Sequence, residues 1–374
     1  MKRREHLQKV ILRRLLFYGR TTRPELVALT GCRAATVFEA IDALKASGMV
    51  IEPERRGKKT GRRAPELECS REFASFIGAE LQNDGLIVVV TDCGGEILES
   101  YEKRFPSPLR DRENIREEIA HGVSVLRRCL GEKWESIRGV GLAVVDPAAA
   151  GEWLSNVPDV PSGIWSGRTI RTRMEYISRR SDAPGSLFRL DAGDCFDGGF
   201  ISDGRLFTGY TGLEMNIGHL VIDRDGPECS CGGRGCLDAV AGKKAVWAMV
   251  RQTLLDGIAA GATEEHFTIR RFVDFVHSDK AARLIAEKVS ENIGCALAAV
   301  VALLNPATIV IGGELAGMGD LLLDTVHRVL AERCRAGAVR KLKLELSALE
   351  PEDTARGAAI MIRDKVFGIE DQPN

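Results

Sequence analysis

The first fifty residues form three short amphipathic segments with the spacing of helices. In the first, apolar side chains recur every three or four positions, at Leu7, Val10, Ile11, Leu15 and Leu16. A second helix is predicted from a Thr22 cap, with Pro24 in its first turn, to a stop at Gly31. A third runs over 33–47 and ends at Gly48. Two helices joined by a short glycine-containing turn predict a helix-turn-helix.

A basic, glycine-punctuated segment follows the third helix between two short strands, at 49–52 and 65–67. It carries six cationic side chains, Arg55, Arg56, Lys58, Lys59, Arg62 and Arg63. A hairpin of this kind is the wing of a winged helix, and it is suited to phosphates or a minor groove. The third helix would offer Arg33, Thr36 and Glu39 to base edges in the major groove. The alternative interpretation is a three-helix docking module with a solvated basic loop.

Beyond Ser70 the pattern changes to strands and occurs twice. Its first copy has strands at 76–80, 85–90, 97–98 and 137–145 with a helix at 112–130. Its second has strands at 187–190, 198–201, 206–207, 219–222 and 307–311 with helices at 239–255 and 279–304. Three strands, a helix and a further strand are typical of an actin-like lobe. The pattern therefore predicts an α/β protein with an N-terminal winged helix-turn-helix and a two-lobed actin-like (ribonuclease H-like, hexokinase-type) ATPase fold.

The predicted boundaries are 1–72 for the winged-helix head, 73–182 for lobe I and 183–351 for lobe II. The lobe II range includes the helices expected to form a dimer. Lobe I would be completed by a C-terminal helix in 352–374, whose small residues at 355–359 favour close packing. These ranges use all of the 374 residues.

Charge is distributed unevenly between the head and the lobes. Residues 1–72 hold 17 basic and 9 acidic residues, whereas the remainder holds 35 and 44. Only the head is therefore expected to meet a polyanion, and double-stranded DNA is the partner that its pattern favours. The apolar runs are too short for a membrane span and the start has no signal-peptide core, so we expect a cytoplasmic protein with no membrane partner.

Ten cysteines are present, and three of them cluster with a histidine. His219, Cys229, Cys231 and Cys236 have the spacing H-x9-C-x-C-x4-C, with glycines at 232, 233 and 235 that allow a tight loop. Three thiolates and one imidazole suit tetrahedral Zn²⁺ in a structural site with no open position. A redox pair and unliganded buried thiols are the alternatives.

Four motifs resemble the ROK family of sugar-responsive repressors and sugar kinases. They are Gly212–His219, Cys229–Asp238, Gly61–Pro65 after the wing and Leu304–Gly313. The resemblance covers the whole chain. Kinases of the family usually lack the head, so the resemblance implies the repressor branch, with the zinc holding the loop beside a sugar pocket.

The resemblance also implies which residues hold sugar hydroxyls: Asn156, Asn216, His219 and Asp238. Two of these depart from the family pattern, because Asn216 and Asp238 each stand where the family has glutamate. An amide can still bond a hydroxyl, but it lacks the charge of a carboxylate acceptor. The pocket is therefore expected to be altered.

The motifs that the family's kinases use for phosphoryl transfer are disrupted. Asp182 is the vestigial candidate for the catalytic base, and Pro184 and Gly185 follow it where the family continues with a helix. The two phosphate hairpins read Glu80–Gly85 and Gly193–Asp197, the second preceded by Asp191, so carboxylates would face a polyphosphate. We expect no catalytic residues and no kinase activity. The second hairpin could instead bind a cation, although solvated turn aspartates are the simpler interpretation.

These features predict a sugar-responsive DNA-binding transcriptional regulator, a repressor of carbohydrate metabolism genes. Its expected partners are operator DNA, a sugar or sugar derivative as effector, and a second copy of the chain in a homodimer or dimer of dimers. Two alternatives stay open. One is an active ROK sugar kinase, phosphorylating a hexose or N-acetylhexosamine with ATP, that also binds DNA. The other is a regulator that has lost sugar sensing and answers to a protein or another ligand.

Overall fold

The computed structural model describes residues 2–53, 64–82, 85–105, 112–147, 150, 153–154, 159–179, 185–210, 215–253 and 266–370. Its contacts divide the chain into two units. Unit 1 comprises Met1–Ile177 and Glu350–Asn374, and unit 2 comprises Ser178–Leu349. Within the described residues, no helix has both the length and the apolar character to cross a membrane.

The head, residues 1–72 of unit 1, contains three helices and a small antiparallel sheet. The helices are α1 (Lys2–Tyr18), α2 (Arg23–Thr30) and α3 (Ala34–Ala46). The strands β1 (Thr21–Thr22), β2 (Val50–Ile51) and β3 (Glu66–Cys69) pair in the order β1-β3-β2. This is the element order expected of a winged helix, whereas the predicted wing tip, 54–63, lies outside the described residues.

Local chemistry explains the boundaries of α2. The Thr22 hydroxyl accepts from the backbone N–H of Glu25, whose carboxylate accepts from the Thr22 N–H, so a capping box starts the helix. Gly31 ends it with a left-handed φ of 61°. Leu26, Val37 and Ile41 are fully buried where α2 and α3 pack together.

The rest of unit 1 is built on a five-stranded mixed sheet. Its elements are β4 (Ser75–Leu81), β5 (Gly85–Asp92), β6 (Ile97–Arg104), α4 (Arg112–Leu130), β7 (Ile137–Val144), β8 (Ser162–Ser166) and α5 (Gly167–Ser178). The strand order is β6-β5-β4-β7-β8, with β4 to β6 antiparallel and β7 and β8 added in parallel to β4.

Unit 2 repeats this sheet. Its strands are β9 (Ser186–Ala192), β10 (Phe196–Ser202), β11 (Arg205–Leu206), β12 (Thr308–Gly312) and β13 (Lys343–Leu346), in the order β11-β10-β9-β12-β13. Three antiparallel strands again carry two parallel ones. The predicted duplication of an actin-like lobe is confirmed, because both sheets share one strand order.

Six α-helices belong to unit 2 within the described residues, and the last helix of the chain packs against the sheet of unit 1. In unit 2 they are α6 (Leu237–Ala241), α7 (Lys243–Gln252), α8 (Ile269–Val276), α9 (Lys280–Leu304), α10 (Asp320–Arg333) and α11 (Ala336–Val339). The last helix, α12 (Asp353–Phe367), belongs to unit 1 and lies against β4 and β7. Its approach is close because Gly78 and Gly141 leave no side chain between the strands and the helix backbone at Ala355 and Ala358.

Two sequence-based boundaries in unit 2 were wrong. The segment predicted as a strand at 219–222 is a 3-10 turn, Ile217–His219, followed by a single bridge between Val221 and Cys236. The helix predicted over 239–255 is two helices, since the chain is extended at Gly242, with φ −75° and ψ 178°. Gly242 has no room for a side chain, because a Cβ there would press on the carbonyl oxygens of Asp238 and Asp194.

Candidate functional site

The four clustered candidates for metal binding meet at one end of unit 2. His219 ends the 3-10 turn, Cys229 and Cys231 lie on the following loop, and Cys236 precedes α6. The loop folds back on itself, since the Cys229 N–H donates to the Gly233 carbonyl at 2.8 Å. Gly232 and Gly235 provide the left-handed turns, with φ of +87° and +64°.

The distances within this cluster have the size of a tetrahedral coordination shell. The ligand atoms all lie within 4.8 Å of one another, with Cys231 Sγ 3.7 Å from Cys236 Sγ and Cys229 Sγ 3.5 Å from His219 Nδ1. Around one zinc ion, bonds of about 2.3 Å to sulfur and about 2.0 Å to nitrogen give edges of about 3.8 and about 3.5 Å. The donor set and its spacing therefore fit a metal ion.

The thiols of the cluster occupy different electrostatic environments. A hydrogen bond from the Cys231 backbone N–H lowers the pKa of Cys229 to about 7. Burial raises the pKa of Cys236 to about 12. A cation at the centre would favour the thiolate form of both residues, because its charge would offset the cost of an ionised sulfur away from water.

Two of the predicted sugar-binding residues lie beside the cluster and are attached to the same strand. Asp238 follows Cys236 by two positions, and its Oδ1 accepts from the Phe196 N–H on β10 at 2.8 Å. Asn216 is exposed at the start of the 3-10 turn, and the carbonyl of its neighbour Met215 accepts from the Gly198 N–H at 3.0 Å. Asn216, His219 and Asp238 are thus held near the first residues of β10. Asn156 lies outside the described residues.

Asp238 is a partly buried carboxyl group. Burial raises its pKa, whereas the Phe196 N–H and the charge of His219 act in the opposite direction. A carboxyl group that is held by one backbone donor keeps acceptor capacity for a ligand hydroxyl.

A cleft of about 1180 Å³ opens in unit 2 next to the metal cluster. The residues that line it include Asp194, Cys229, Asp238, Lys243, Asn292 and Arg328. Sequence reasoning did not anticipate this cleft, because its walls come from elements distant along the chain: the four helices α6, α7, α9 and α10, the 222–230 loop and the turn between β9 and β10. The one local feature of the sequence that belongs to the cleft wall is the pair of lysines at 243–244, directly after Gly242.

Arginine and lysine side chains pair with the carboxylates at the two hairpins that the sequence analysis compared with the phosphate hairpins of kinases. Glu80 is 5% exposed and pairs with Arg171 at 3.2 Å. In unit 2, Asp191 pairs with Arg189 at 2.8 Å and Asp194 with Lys243 at 3.5 Å. The partners Arg171 and Arg189 were not identified from sequence. Asp182, the vestigial base candidate, lies outside the described residues.

In the head, the three residues predicted to read bases are exposed on the first turns of α3. Arg33 is the N-cap residue, and Thr36 and Glu39 lie on the side opposite the buried Val37 and Ile41. The six basic residues predicted for the wing, Arg55, Arg56, Lys58, Lys59, Arg62 and Arg63, lie outside the described residues.

Comparison with known proteins places this architecture among regulators and kinases. Residues 186–365 match the ROK family. A xylose repressor of Caldicellulosiruptor bescii is 23% identical over 94% of this chain and 94% of its own. The DNA-binding transcriptional dual regulator NagC of Escherichia coli is 22% identical over 94% and 91%. A glucokinase of Thermotoga maritima is 28% identical, but over 49% of this chain and 59% of its own.

The solved structures likewise include a regulator that matches nearly the whole chain and a kinase that matches about three quarters of it. A ROK family transcriptional regulator, described as a homolog of the E. coli MLC protein, matches 97% of this chain and 98% of its own, with a TM-score of 0.78 and 18% identity. A ROK hexokinase from Thermus thermophilus matches 76% of this chain and 97% of its own, with a TM-score of 0.60 and 22% identity.

Proposed function

We propose that this chain is a sugar-responsive DNA-binding transcriptional regulator. Its residues 186–365 match the ROK family, a domain that the family's repressors and kinases share. The proposal therefore rests on the head. The activity of the chain would be repression of carbohydrate metabolism genes. Effector binding in the actin-like part would change the affinity of the head for operator DNA, a coupling between two sites of one molecule.

The observation that carries this proposal is the extent of the alignments. The repressor relatives align over 94% of this chain, which includes the head, whereas the glucokinase aligns over 49%. A basic head of three helices and a small sheet has no role in phosphoryl transfer. The head therefore supports a regulator.

For DNA binding, we propose that α3 enters the major groove and that the wing grips the backbone. Arg33, Thr36 and Glu39 would contact base edges, since α3 exposes them on its first turns. Arg55, Arg56, Lys58, Lys59, Arg62 and Arg63 would contact phosphates or the minor groove. A homodimer or a dimer of dimers would present two heads to half-sites about one helical turn apart.

For the metal cluster, we propose structural Zn²⁺ bound by His219, Cys229, Cys231 and Cys236. The sulfur and nitrogen spacings support this assignment, and four protein ligands leave no position open for a substrate. When bound, the ion cross-links the loop. Because Cys236 is two residues from Asp238 and His219 is three from Asn216, the cross-link also positions the proposed sugar ligands.

For the effector, we propose that Asn156, Asn216, His219 and Asp238 bind sugar hydroxyls. His219 turns Nδ1 toward the sulfur atoms, which leaves the opposite edge of its ring for a ligand. Asn216 and Asp238 supply acceptors on the two segments that flank it. The effector is therefore expected to be a polyol or a sugar with vicinal hydroxyl groups.

A catalytic ROK sugar kinase is the second candidate, favoured by the alignment with a glucokinase. The charges argue against it. At the two hairpins, Arg171 and Arg189 are already paired with Glu80 and Asp191. A polyphosphate would have to displace these carboxylates, and the repulsion between like charges at contact is substantial. We propose that the chain has no kinase activity.

Electrophoretic mobility shifts on duplexes tiled across the DNA flanking the gene test the proposal. We expect retardation of at least one fragment at low salt. The double variant Arg33→Ala/Thr36→Ala should bind that fragment at least ten-fold more weakly, because each base contact contributes about 1 to 3 kcal/mol. Arg283→Ala, an exposed change in α9, is the matched control and should bind like the native chain.

A coupled ATPase assay with hexoses and N-acetyl sugars separates the two candidates. The regulator should consume no ATP with any of them. Sugar-dependent turnover that Asp182→Asn abolishes would instead establish the kinase. Thermal-shift screening with the same sugars tests the sensor, since a ligand that binds the folded state raises the melting temperature.

A further inference from the structure

Two cysteines outside the metal cluster lie in direct contact within unit 1. Cys69 ends β3, the strand that pairs with both other strands of the head. Cys93 lies in the turn that joins β5 and β6 of the large sheet. Their Sγ atoms are 3.4 Å apart, although the residues are 24 positions apart in sequence.

The backbone holds the two cysteines together independently of their side chains. The Cys93 N–H donates to the Arg71 carbonyl at 3.2 Å, two residues beyond Cys69. The Ser70 N–H donates to the Met49 carbonyl at 2.8 Å, which ties the same segment to the head. A disulfide has an S–S bond of about 2.05 Å, so the sulfur atoms would close by roughly 1.4 Å. Rotation of the two side chains would supply that movement.

The surroundings distinguish the two thiols. Cys93 is fully buried against Leu12, Leu16 and Ile369, whereas Cys69 is half-buried and can be reached from solvent. A hydrogen bond from the Cys93 thiol lowers the pKa of Cys69, and the Arg363 guanidinium adds to this effect. Arg363 is fixed nearby, because its Nη1 donates to the Cys93 carbonyl at 3.1 Å. Burial and the carboxylates of Asp92 and Glu68 oppose this shift without reversing it. A reachable thiol with a lowered pKa is the kind that oxidants select.

We propose that Cys69 and Cys93 form a peroxide-sensitive dithiol that closes into a reversible disulfide between the head and the large sheet of unit 1. The Cys69 thiolate attacks hydrogen peroxide and breaks its O–O bond, giving a sulfenic acid at Cys69 and hydroxide, which takes up a proton. The Cys93 sulfur then displaces the sulfenic oxygen as water and forms the S–S bond, losing its own proton. Two thiols are oxidised and one peroxide is reduced to two waters.

The disulfide would attach β3 covalently to the turn between β5 and β6. Under the proposed function, on which this consequence rests, the attachment fixes the DNA-binding head to the part of the chain that carries it. Oxidant would then limit how far effector binding can reorient the head. The chemistry of the pair itself does not depend on the head binding DNA.

Peptide mapping of the full-length, zinc-loaded protein tests the disulfide directly. Trypsin cleaves after Arg63, Arg71 and Lys103, so Cys69 and Cys93 fall in separate peptides, 64–71 and 72–103, each with one cysteine. After brief exposure to hydrogen peroxide and alkylation of free thiols, we expect these peptides to be joined. Dithiothreitol should separate them. Cys69→Ser and Cys93→Ser should abolish the joined species, and Cys129→Ser, at an exposed cysteine outside the pair, should retain it.

Thermal unfolding provides a second measurement. A disulfide across this loop should raise the melting temperature of the oxidised native chain by about 5 °C relative to the reduced chain. Oxidised Cys69→Ser should show no such rise, and this comparison cancels any effect of peroxide on the zinc thiols. Cys93→Ala replaces Cys93→Ser if serine prevents folding at the buried position.

Failure to find the joined peptides, while other thiols of the same sample are oxidised, overturns the inference. Peptides in which Cys69 or Cys93 is joined to a different cysteine overturn it as well. Neither result bears on mobility shifts by the reduced protein, so failure of the dithiol and failure of the proposed function are distinguishable.

Discussion

At the scale of single residues, the candidate metal ligands differ in how firmly the chain holds them. Cys236 is buried at the start of α6, and its carbonyl accepts from the Ala239 and Val240 N–H groups of that helix. Cys231 is exposed on the loop between two glycines and a serine. Loss of Cys236 should therefore disturb both the ion and the fold.

Cys236→Ser is expected to reduce the zinc content from one ion per chain to a small fraction of that and to lower the melting temperature by several degrees. Serine keeps the volume but supplies a poor zinc ligand. Elemental analysis and calorimetry measure the two effects. Cys129→Ser is the control, and equal zinc in the two variants would contradict the assignment.

Acid should release the ion. The pKa of Cys229 lies at about 7, since the Cys231 N–H stabilises its thiolate. Zinc binds the thiolate, so below that pH protons compete for the sulfur atom and the affinity falls. We expect zinc to be retained at pH 8 and lost toward pH 5, as measured with a chromophoric chelator. Retention unchanged across this range would count against sulfur ligands.

Asp364 accepts hydrogen bonds from two arginines in the interior of unit 1. Its carboxylate oxygens lie 2.8 Å from nitrogens of Arg363 and Arg173, and it is 5% exposed. Asp364→Asn would remove the negative charge that these two guanidinium groups share, at a cost of about 3 to 5 kcal/mol in unfolding free energy. Denaturant titration measures this change. Asp353→Asn, which removes a more exposed partner of Arg356, should cost less than about 1 kcal/mol.

At the scale of elements, α12 depends on glycines in the strands beneath it. A Cβ on Gly141 of β7 would overlap the backbone carbonyl of Ala358, which cannot rotate away. This contact explains why the small residues at 355–359 are required in the helix, as the sequence indicated. The close packing of the C-terminal helix is thereby confirmed.

Gly141→Ala is expected to destabilise unit 1 by about 3 kcal/mol, because one added methyl overpacks a rigid contact. Gly337→Ala in α11 is the matched control. A Cβ at Gly337 meets nothing within 4 Å, so this change should be neutral or stabilise by up to about 1 kcal/mol. Equal losses for both variants would show that backbone freedom, not packing, sets the effect at Gly141.

At the scale of the whole molecule, the chain separates its charges. The head holds 17 basic and 9 acidic residues, and the remainder holds 35 and 44. If the head binds DNA as proposed, such a distribution would orient the head toward the duplex and keep the acidic remainder away from it. The contribution of the wing should therefore appear as salt dependence.

Replacing Arg55, Arg56, Lys58 and Lys59 with alanine should weaken binding to all duplexes alike. It should also reduce the steepness of the plot of log affinity against log salt concentration by up to about 3 to 4. Each phosphate contact that is no longer made means that about one counterion fewer is released on binding. Fluorescence anisotropy at several salt concentrations measures the slope. Four exposed basic residues of unit 2, Arg270, Arg283, Lys288 and Arg340, provide the control variant, whose slope should not change.

Much of this architecture could be predicted from sequence because the determining interactions are local. The helices of the head follow from apolar periodicity, the Thr22–Glu25 capping box and the turn at Gly31, all within a few residues. The histidine and cysteine spacing of 219–236 predicted which side chains would meet, since these four candidate metal ligands are close in sequence and the intervening glycines allow the left-handed turns that bring them together. The duplicated strand order followed from two similar strand patterns.

The contacts between residues distant in sequence were decided only by the tertiary structure. His219 lies in a 3-10 turn and not in a strand, because its N–H donates to the Asn216 carbonyl within the turn. Pairing with the segment around Cys236 begins only beyond it, where the Leu237 N–H donates to the Leu220 carbonyl. Arg189 pairs with Asp191 and Arg171 with Glu80 only once the sheets have formed. Cys69 and Cys93 come together across 24 residues. Periodicity reports the burial of each residue, but contacts between distant segments depend on which strands pair, and that is determined by the packing of the whole chain.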